Sequence, residues 1–323
     1  MNLLNLKILI VLLALGLTAC ASGPALRDYG LVQASVELSN TPFFPQDEYQ
    51  CGPAALATVL SASGLTVTPD ELTPLIYLPA RKGSLQAEIV AVTRRQGRVP
   101  YVVKPEMNEL LAEVAAGTPV MVMQNLGINS LPQWHYAVVI GYDTPSDSLL
   151  LRSGTNERLT MKRTRFQATW KRAQNWAMVA VLPDSPPPTA SHANWLLAAS
   201  AFEELGQPEV AVEAYQSATL RWPDQPLTWQ ALANARYALG ELPAAETALR
   251  RAVQLAPSAA ALNNLAHVLH ERGCLVAAKE QIRRAEGMED AEALKDLLVR
   301  TRTAIESDTR QDSAQCSALV GNH

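Results

Sequence analysis

Histidine is scarce in these 323 residues. There are five, at positions 135, 192, 267, 270 and 323, and only His135 precedes residue 192. Any chemistry in the first half of the chain that needs an imidazole therefore falls to that one side chain. No His/Cys cluster with metal-ligand spacing is present, so neither a metal nor an organic cofactor is implied. Aromatic residues are few, at 6%, whereas Leu and Ala are abundant, which suits a helix-rich protein. No block of Lys or Arg occurs and the net charge is −4, which argues against a nucleic-acid partner. Beyond residue 20 no apolar run is long enough for a membrane-spanning helix.

The beginning of the chain is different. One lysine, Lys7, precedes an apolar run over residues 8–17, and the run ends in Leu17-Thr18-Ala19-Cys20. The run is short for a membrane span and fits the apolar core of a secretory signal. The tetrapeptide resembles a bacterial lipobox. That resemblance implies cleavage before Cys20, lipidation of Cys20, and, with Ala-Ser rather than Asp following, delivery to the periplasmic face of the outer membrane. The only membrane contact expected is through that lipid.

Four cysteines are present, at 20, 51, 274 and 316. With Cys20 assigned to the lipid, Cys274 and Cys316 are candidates to pair in an oxidising compartment. If they do, Cys51 is the odd thiol, and an odd thiol in an exported protein is a candidate for reactivity.

Residues 183–192 are proline-rich and cannot continue a helix or a central strand. They read as a linker between two domains that leaves room for relative motion. After it the chain repeats. Trp195, Ala199, Gly206, Ala211, Ala218 and Pro223 recur 34 residues later as Trp229, Ala233, Gly240, Ala245, Ala252 and Pro257. A third copy follows at a shift of 33, with Ala266, Gly273, Ala278 and Ala285. Small alanines let paired helices approach, Gly ends the first helix of each pair, and Pro closes the second. This pattern resembles the tetratricopeptide repeat, which implies an all-α solenoid that docks a peptide or protein partner. Residues near 291–304 read as an amphipathic capping helix, and residues 305–323 as a polar, disordered tail.

The first domain mixes helices and strands. Residues 52–64 read as a buried helix, 68–79 as a helix capped by Thr68-Pro69, and 83–97 as a helix capped by Ser84. Apolar strands are predicted over 99–104, 118–126, 134–143, 148–154 and 176–183, with a helix over 105–117 and a hairpin turn centred on Pro145-Ser146. Helices come first and an antiparallel sheet follows, so the class is α+β.

Within that domain Cys51 opens a helix, where the helix dipole and free N–H groups favour a thiolate. By elimination, a histidine partner in the same domain must be His135. An oxyanion donor upstream of the nucleophile is Gln46, in preference to Gln50, which adjoins Cys51 and should point away. The motif Cys51-Gly52-Pro53-Ala54-Ala55 with His135-Tyr136-Ala137-Val138-Val139 resembles the papain-like cysteine peptidases, most closely the bacteriocin-processing, double-glycine leader peptidases. In that family the glutamine usually stands one position further upstream. The family also carries an Asp-Pro on the strand after the histidine, and here Ser153-Gly154 occupy those positions. The predicted hairpin sets Asn156 opposite His135, so Asn156 is expected to orient the imidazole, with Ser153 as the alternative.

The resulting organisation is a lipoprotein signal at 1–19, a lipidated tether at 20–39, a papain-like domain at 40–182, a linker at 183–192, repeats with their cap at 193–304, and a tail at 305–323. The expected activity is cleavage of a peptide or protein by a Cys51–His135 pair, without a cofactor. An inactive peptide clamp or envelope assembly factor, and acyl transfer in place of hydrolysis, are the alternatives.

Overall fold

The computed structural model describes residues 24–45, 50–312 and 316. The first domain begins with strand β1 (Ser35–Glu37). Helices α1 (Cys51–Ala62) and α2 (Pro69–Ile76) follow. Then comes a short hairpin, β2 (Tyr77–Leu78) and β3 (Gly83–Ser84), before α3 (Gln86–Arg95). The remainder runs β4 (Val99–Val102), α4 (Met107–Ala115), β5 (Val120–Asn125), β6 (Trp134–Asp143), β7 (Ser148–Ser153), β8 (Asn156–Lys162), α5 (Arg163–Lys171) and β9 (Ala177–Val181). The sheet has the order β4-β9-β5-β6-β7-β8 and its pairings are antiparallel. β1 pairs with the far end of β6, beyond the last residue that β5 reaches.

Alternation along the strands divides the interior in two. Tyr136, Val138 and Ile140 of β6 join Leu56, Val59 and Leu60 of α1 under one face of the sheet. Ala137 and Val139 join Leu110, Val114, Phe166 and Trp170 of α4 and α5 under the other. Each fully buried aliphatic side chain of α1 contributes about 1.5–3 kcal/mol of transfer free energy. The central helix is thus fastened to the strand that carries His135.

The second domain comprises three helix pairs: α6 (His192–Glu204) with α7 (Pro208–Arg221), α8 (Pro226–Ala238) with α9 (Leu242–Leu255), and α10 (Ala259–Glu271) with α11 (Leu275–Glu286). A last helix, α12 (Lys295–Ser307), closes the stack. The repeat positions do as expected: Trp195, Ala199, Ala211, Ala233, Ala245, Ala266 and Ala278 are all buried. Among the described residues no helix is long and apolar enough to cross a membrane.

Several expectations are corrected. Ser84 does not cap a helix. Gly83 and Ser84 pair with Leu78 and Tyr77, and the helix starts at Gln86. β8 and α5 occupy residues 156–171, where the sequence offered no periodicity strong enough to declare them. The polar tail is held at several points. Asp312 Oδ1 accepts from the Leu275 and Val276 N–H groups, Asp308 bonds His270, and Cys316 is joined to Cys274 across 42 residues.

The proline segment is hydrogen-bonded to both domains. Arg221 donates to the carbonyls of Pro186, Pro187 and Pro188, and Ser217 to that of Pro183. Thr189 donates both its N–H and its hydroxyl to the buried Glu113 carboxylate of α4. Helix α6 packs on β4, and one continuous apolar core runs from the sheet through Trp195 and Phe202 into the repeats. Prolines lack N–H groups, so their carbonyls are bonded without forming a strand ladder.

Candidate active site

Helix α1 explains why a thiol at position 51 is unusual. A helix start leaves its first N–H groups without intrahelical partners. Here Pro53 has none to offer and Ala54 N–H already reaches Gln50 O, so the free donors of the first turn are those of Cys51 and Gly52. These two backbone N–H groups and that of Tyr136 in β6 act to lower the Cys51 pKa. Burial outweighs these three donors and pushes the thiol pKa up from its ordinary value. Cys51 is the free cysteine among the described residues.

Gly52 permits the closeness of the hairpin. A Cβ there would stand 2.7 Å from Ser84 Cβ and would also strike its Oγ. Tyr136 donates its hydroxyl to Ser84 O at 3.3 Å. β3 is therefore clamped between the first turn of α1 and β6. Burial and the nearby sulfur both raise the Tyr136 pKa, so its hydroxyl stays protonated.

His135 sits at the second position of β6, paired with Gln124 of β5. Its Nε2 lies 2.8 Å from Ser153 Oγ. The ring is half-buried, and burial holds its pKa below the ordinary imidazole value. Among the described residues there is no direct hydrogen bond between the thiol and the imidazole. The residue after His135 is the one whose backbone N–H acts to lower the Cys51 pKa. At rest the two groups are a neutral thiol and a neutral imidazole.

Asn156 is not brought to His135. The turn lies where expected, with Asp143 opposite Ser148, but Ile140 is an extra residue that shifts the β6–β7 register by one. β7 then turns at Gly154 before reaching the level of His135. Asn156 starts β8, exposed and paired with Ser153. The bulge and the early turn leave the Ser153 hydroxyl diagonal to the imidazole and the asparagine outside. Gln46 and Cys20 fall outside the described residues.

One supporting residue was not legible in the sequence. Arg152 is buried, and its guanidinium donates to Ser39 O, Thr41 O and Glu157 O. It ties the segment that leads toward Cys51 to the strand that carries Ser153. A lone arginine between Leu151 and Ser153 in an apolar strand was the available signal.

Beside the thiol lies a cleft of about 730 Å³. Cys51, Arg81, Ser84, Met123, Trp134 and Tyr136 are among its lining residues.

Residues 38–178 match the sequence model of the Peptidase_C39 like family, and residues 196–260 and 230–293 match that of the tetratricopeptide repeat. None of the curated proteins matches this sequence. Among solved structures, a C39-like peptidase from Bacillus anthracis is 19% identical with a TM-score of 0.40, covering 46% of this chain and 98% of its own. The peptidase domain of Streptococcus ComA, a bi-functional ABC transporter, is 24% identical with a TM-score of 0.37, covering 44% of this chain and 99% of its own. The TPR2B domain of yeast Sti1, solved with pHsp70, is 18% identical with a TM-score of 0.34, covering 36% of this chain and 95% of its own. The chain therefore carries a C39-peptidase-like α+β domain followed by tetratricopeptide repeats.

Proposed function

We propose that this protein is a cysteine peptidase whose repeats dock a protein substrate or partner, and that a lipid on Cys20 holds it at the periplasmic face of the outer membrane. The observation that carries the reading is the placement of Cys51. Its sulfur stands at the first residue of a buried helix, where backbone N–H groups favour the thiolate, and the helix packs on the strand that holds a histidine bonded to a second side chain.

In this reading His135 is the general base. The tautomer that donates Nε2–H to Ser153 leaves Nδ1 with the lone pair, ready to take the thiol proton as sulfur attacks the peptide carbonyl. The Cys51 and Gly52 N–H groups, with the Gln46 side chain, receive the oxyanion. Protonated Nδ1 then returns its proton to the leaving amine, and water resolves the thioester. Ser153 fills the orienting role that the sequence offered to Asn156. A neutral pair at rest costs nothing in desolvated charge, and the proton moves only when substrate arrives.

The repeats pack on β4, which follows Arg98 at the end of α1 away from the thiol. Arg98, which donates to Ser63 at the C-terminal cap of α1, also feels Glu213 of α7. A helix of 12 residues spans about 18 Å, so a segment bound on the repeats reaches the thiol only through a connecting stretch of chain.

Incubating the protein with a diverse peptide pool and reading new termini by mass spectrometry tests the peptidase reading. Cleavage by wild type that is lost in both Cys51→Ala and His135→Ala supports it. A second reading, a non-catalytic peptide clamp, is favoured by one observation: the imidazole's partner is a hydroxyl where the resembling family has a carboxylate. Tight peptide binding with no cleavage, identical in wild type and Cys51→Ala, would establish it instead.

A further inference from the structure

We infer that Gln124 is a positioning residue for the proposed reaction, acting through Ser153: its side-chain oxygen takes the Ser153 proton when His135 becomes charged. This rests on the reading of Cys51 and His135 as the reacting pair.

A hydroxyl beside an imidazole sets a demand that a carboxylate does not. A carboxylate only accepts, so it holds an imidazolium N–H with nothing left over. Ser153 Oγ lies 2.8 Å from His135 Nε2. It can donate to that nitrogen while the ring is neutral. Once Nδ1 has taken the thiol proton, both ring nitrogens are donors. Ser153 must then accept from Nε2–H, and its own proton must turn to a different acceptor. Without one, a donor is orphaned at the moment the charge forms, and the charged state is disfavoured.

Gln124 carries such an acceptor. The residue is 0% exposed, and its Oε1 is buried without a hydrogen bond. The orientation of the amide follows from its neighbour. Thr169 has one hydroxyl proton, which goes to Phe166 O at 2.8 Å. Thr169 Oγ1 therefore accepts from the amide at 2.7 Å, and the amide nitrogen faces α5. Oε1 is the atom left over. An unmet buried acceptor costs stability, whereas an apolar side chain of similar size would not. β5 is otherwise apolar up to this point, with Val120, Met121, Val122 and Met123 before Gln124. An amide here calls for a use.

Its placement brings the oxygen to the imidazole. Gln124 and His135 are direct cross-strand partners, which sets their Cβ atoms about 4.5–5.5 Å apart on one face of the sheet. From β5 the amide also reaches Met161 Sδ of β8 at 3.8 Å, and β6 and β7 lie between those two strands. The side chain thus crosses the face on which His135 of β6 leans to Ser153 of β7. Arg172 holds the carbonyl of the next residue, Asn125, and so fixes the backbone. The relay runs from Nε2–H to Ser153 Oγ and from the Ser153 hydroxyl to Gln124 Oε1. The second bond is not made at rest and closes with the charge. Each proton stays on its own atom, so the relay orients the ring and moves no proton through it.

The test is a titration of His135 by NMR in the full chain carrying Cys51→Ala, so that the imidazole is read without the thiol. Loss of one resonance in His135→Phe identifies it. Gln124→Leu should lower the His135 pKa by about half a unit to one unit, the size of one lost hydrogen bond to the charged form. Gln124→Glu should return it to the starting value or above. Protonated, Glu repeats the donor to Thr169 and the acceptor to Ser153; ionised, it accepts from both. Gln124→Met, close in length, decides the matter if Leu unfolds the chain. With Cys51 present and one model peptide thioester as probe, Gln124→Leu should lower kcat about tenfold and leave KM unchanged. Ser153→Ala with Gln124→Leu should be no slower than Ser153→Ala alone, because the two act as one unit. A His135 pKa indifferent to Gln124→Leu, no recovery with Glu, or losses that add in the double variant would overturn the inference. The titration needs no turnover. The expected shifts without cleavage by wild type would keep the relay and remove the reaction it serves. Cleavage through Cys51 with a His135 pKa indifferent to Gln124 would keep the peptidase and remove the relay.

Discussion

Replacing Gly52 by alanine probes the contact on which the site geometry depends. Gly52 is the second residue of α1, and its backbone accepts any residue, so the substitution acts through space alone. The new Cβ would stand 2.7 Å from Ser84 Cβ, well inside van der Waals contact. Ser84 cannot retreat by rotating a flexible side chain, because the Cβ itself is in the way. β3 must move, and β3 is only two residues long. Overpacking of this kind costs about 1–3 kcal/mol. The gain in helix propensity returns less than about 1 kcal/mol at this end of the helix. A net loss of about 1–2 kcal/mol lowers Tm by roughly 2–6 °C, read by circular dichroism. The functional cost should be larger, because the hairpin wall is displaced from the thiol. A misplacement on the order of 1 Å reduces turnover by about two orders of magnitude. Adding Ser84→Gly should recover much of both losses, while adding Ser84→Ala should not, since the Cβ remains. Unchanged Tm and turnover in Gly52→Ala, or equal rescue by the two second substitutions, would refute the clamp.

Other perturbations have defined outcomes. Ser153→Ala should lower turnover about tenfold by freeing the imidazole, whereas Asn156→Ala should leave it unchanged; equal effects would contradict the Ser153 assignment. Burial holds the folded His135 pKa below the ordinary value of about 6.5, so the unfolded chain takes up the proton first. Stability from this group is therefore full above about pH 6.5 and is lost as pH falls through the folded pKa. Burial lowers the His192 pKa as well, so denaturant unfolding across that window should show a steeper slope in wild type than in His135→Phe. Opening the Cys274–Cys316 link, which closes a loop of 42 residues, should cost the repeats about 4 kcal/mol by loop entropy, measured by denaturant unfolding of the double serine variant. Arg221→Ala removes donors to three proline carbonyls. Partly exposed bonds of this kind are worth about 1 kcal/mol together, and limited proteolysis should then cut near residues 183–190.

The repeats were legible because every signal pointed the same way. Spaced alanines, Gly at the end of each first helix and Pro after the second helix of the first two pairs act locally, and the observed helices follow them. Cys51 and His135 were legible for a different reason. One sits at a helix start and the other is the single histidine of its domain. Ser153 as the partner of His135 was not decided by the sequence, because a one-residue bulge at Ile140 shifts the β6–β7 pairing on the His135 side of the bulge and leaves no mark in composition. The β2–β3 hairpin was missed because two-residue strands have no period to detect, and its cause lies in Gly52, thirty-odd residues away. The fixed linker was missed because proline content reports what a segment cannot form. The groups that hold it, the Arg221 donor and the Glu113 acceptor, belong to other elements.

The central claim is that Cys51 is a nucleophile served by His135. Peptide thioesters of mixed sequence acylate a competent cysteine whatever the natural substrate, and the adduct is read directly by mass spectrometry. The account predicts rapid acylation of Cys51 with turnover, and loss of both in His135→Ala. Acylation no faster than that of a free thiol, and equal in wild type and His135→Ala, would contradict it.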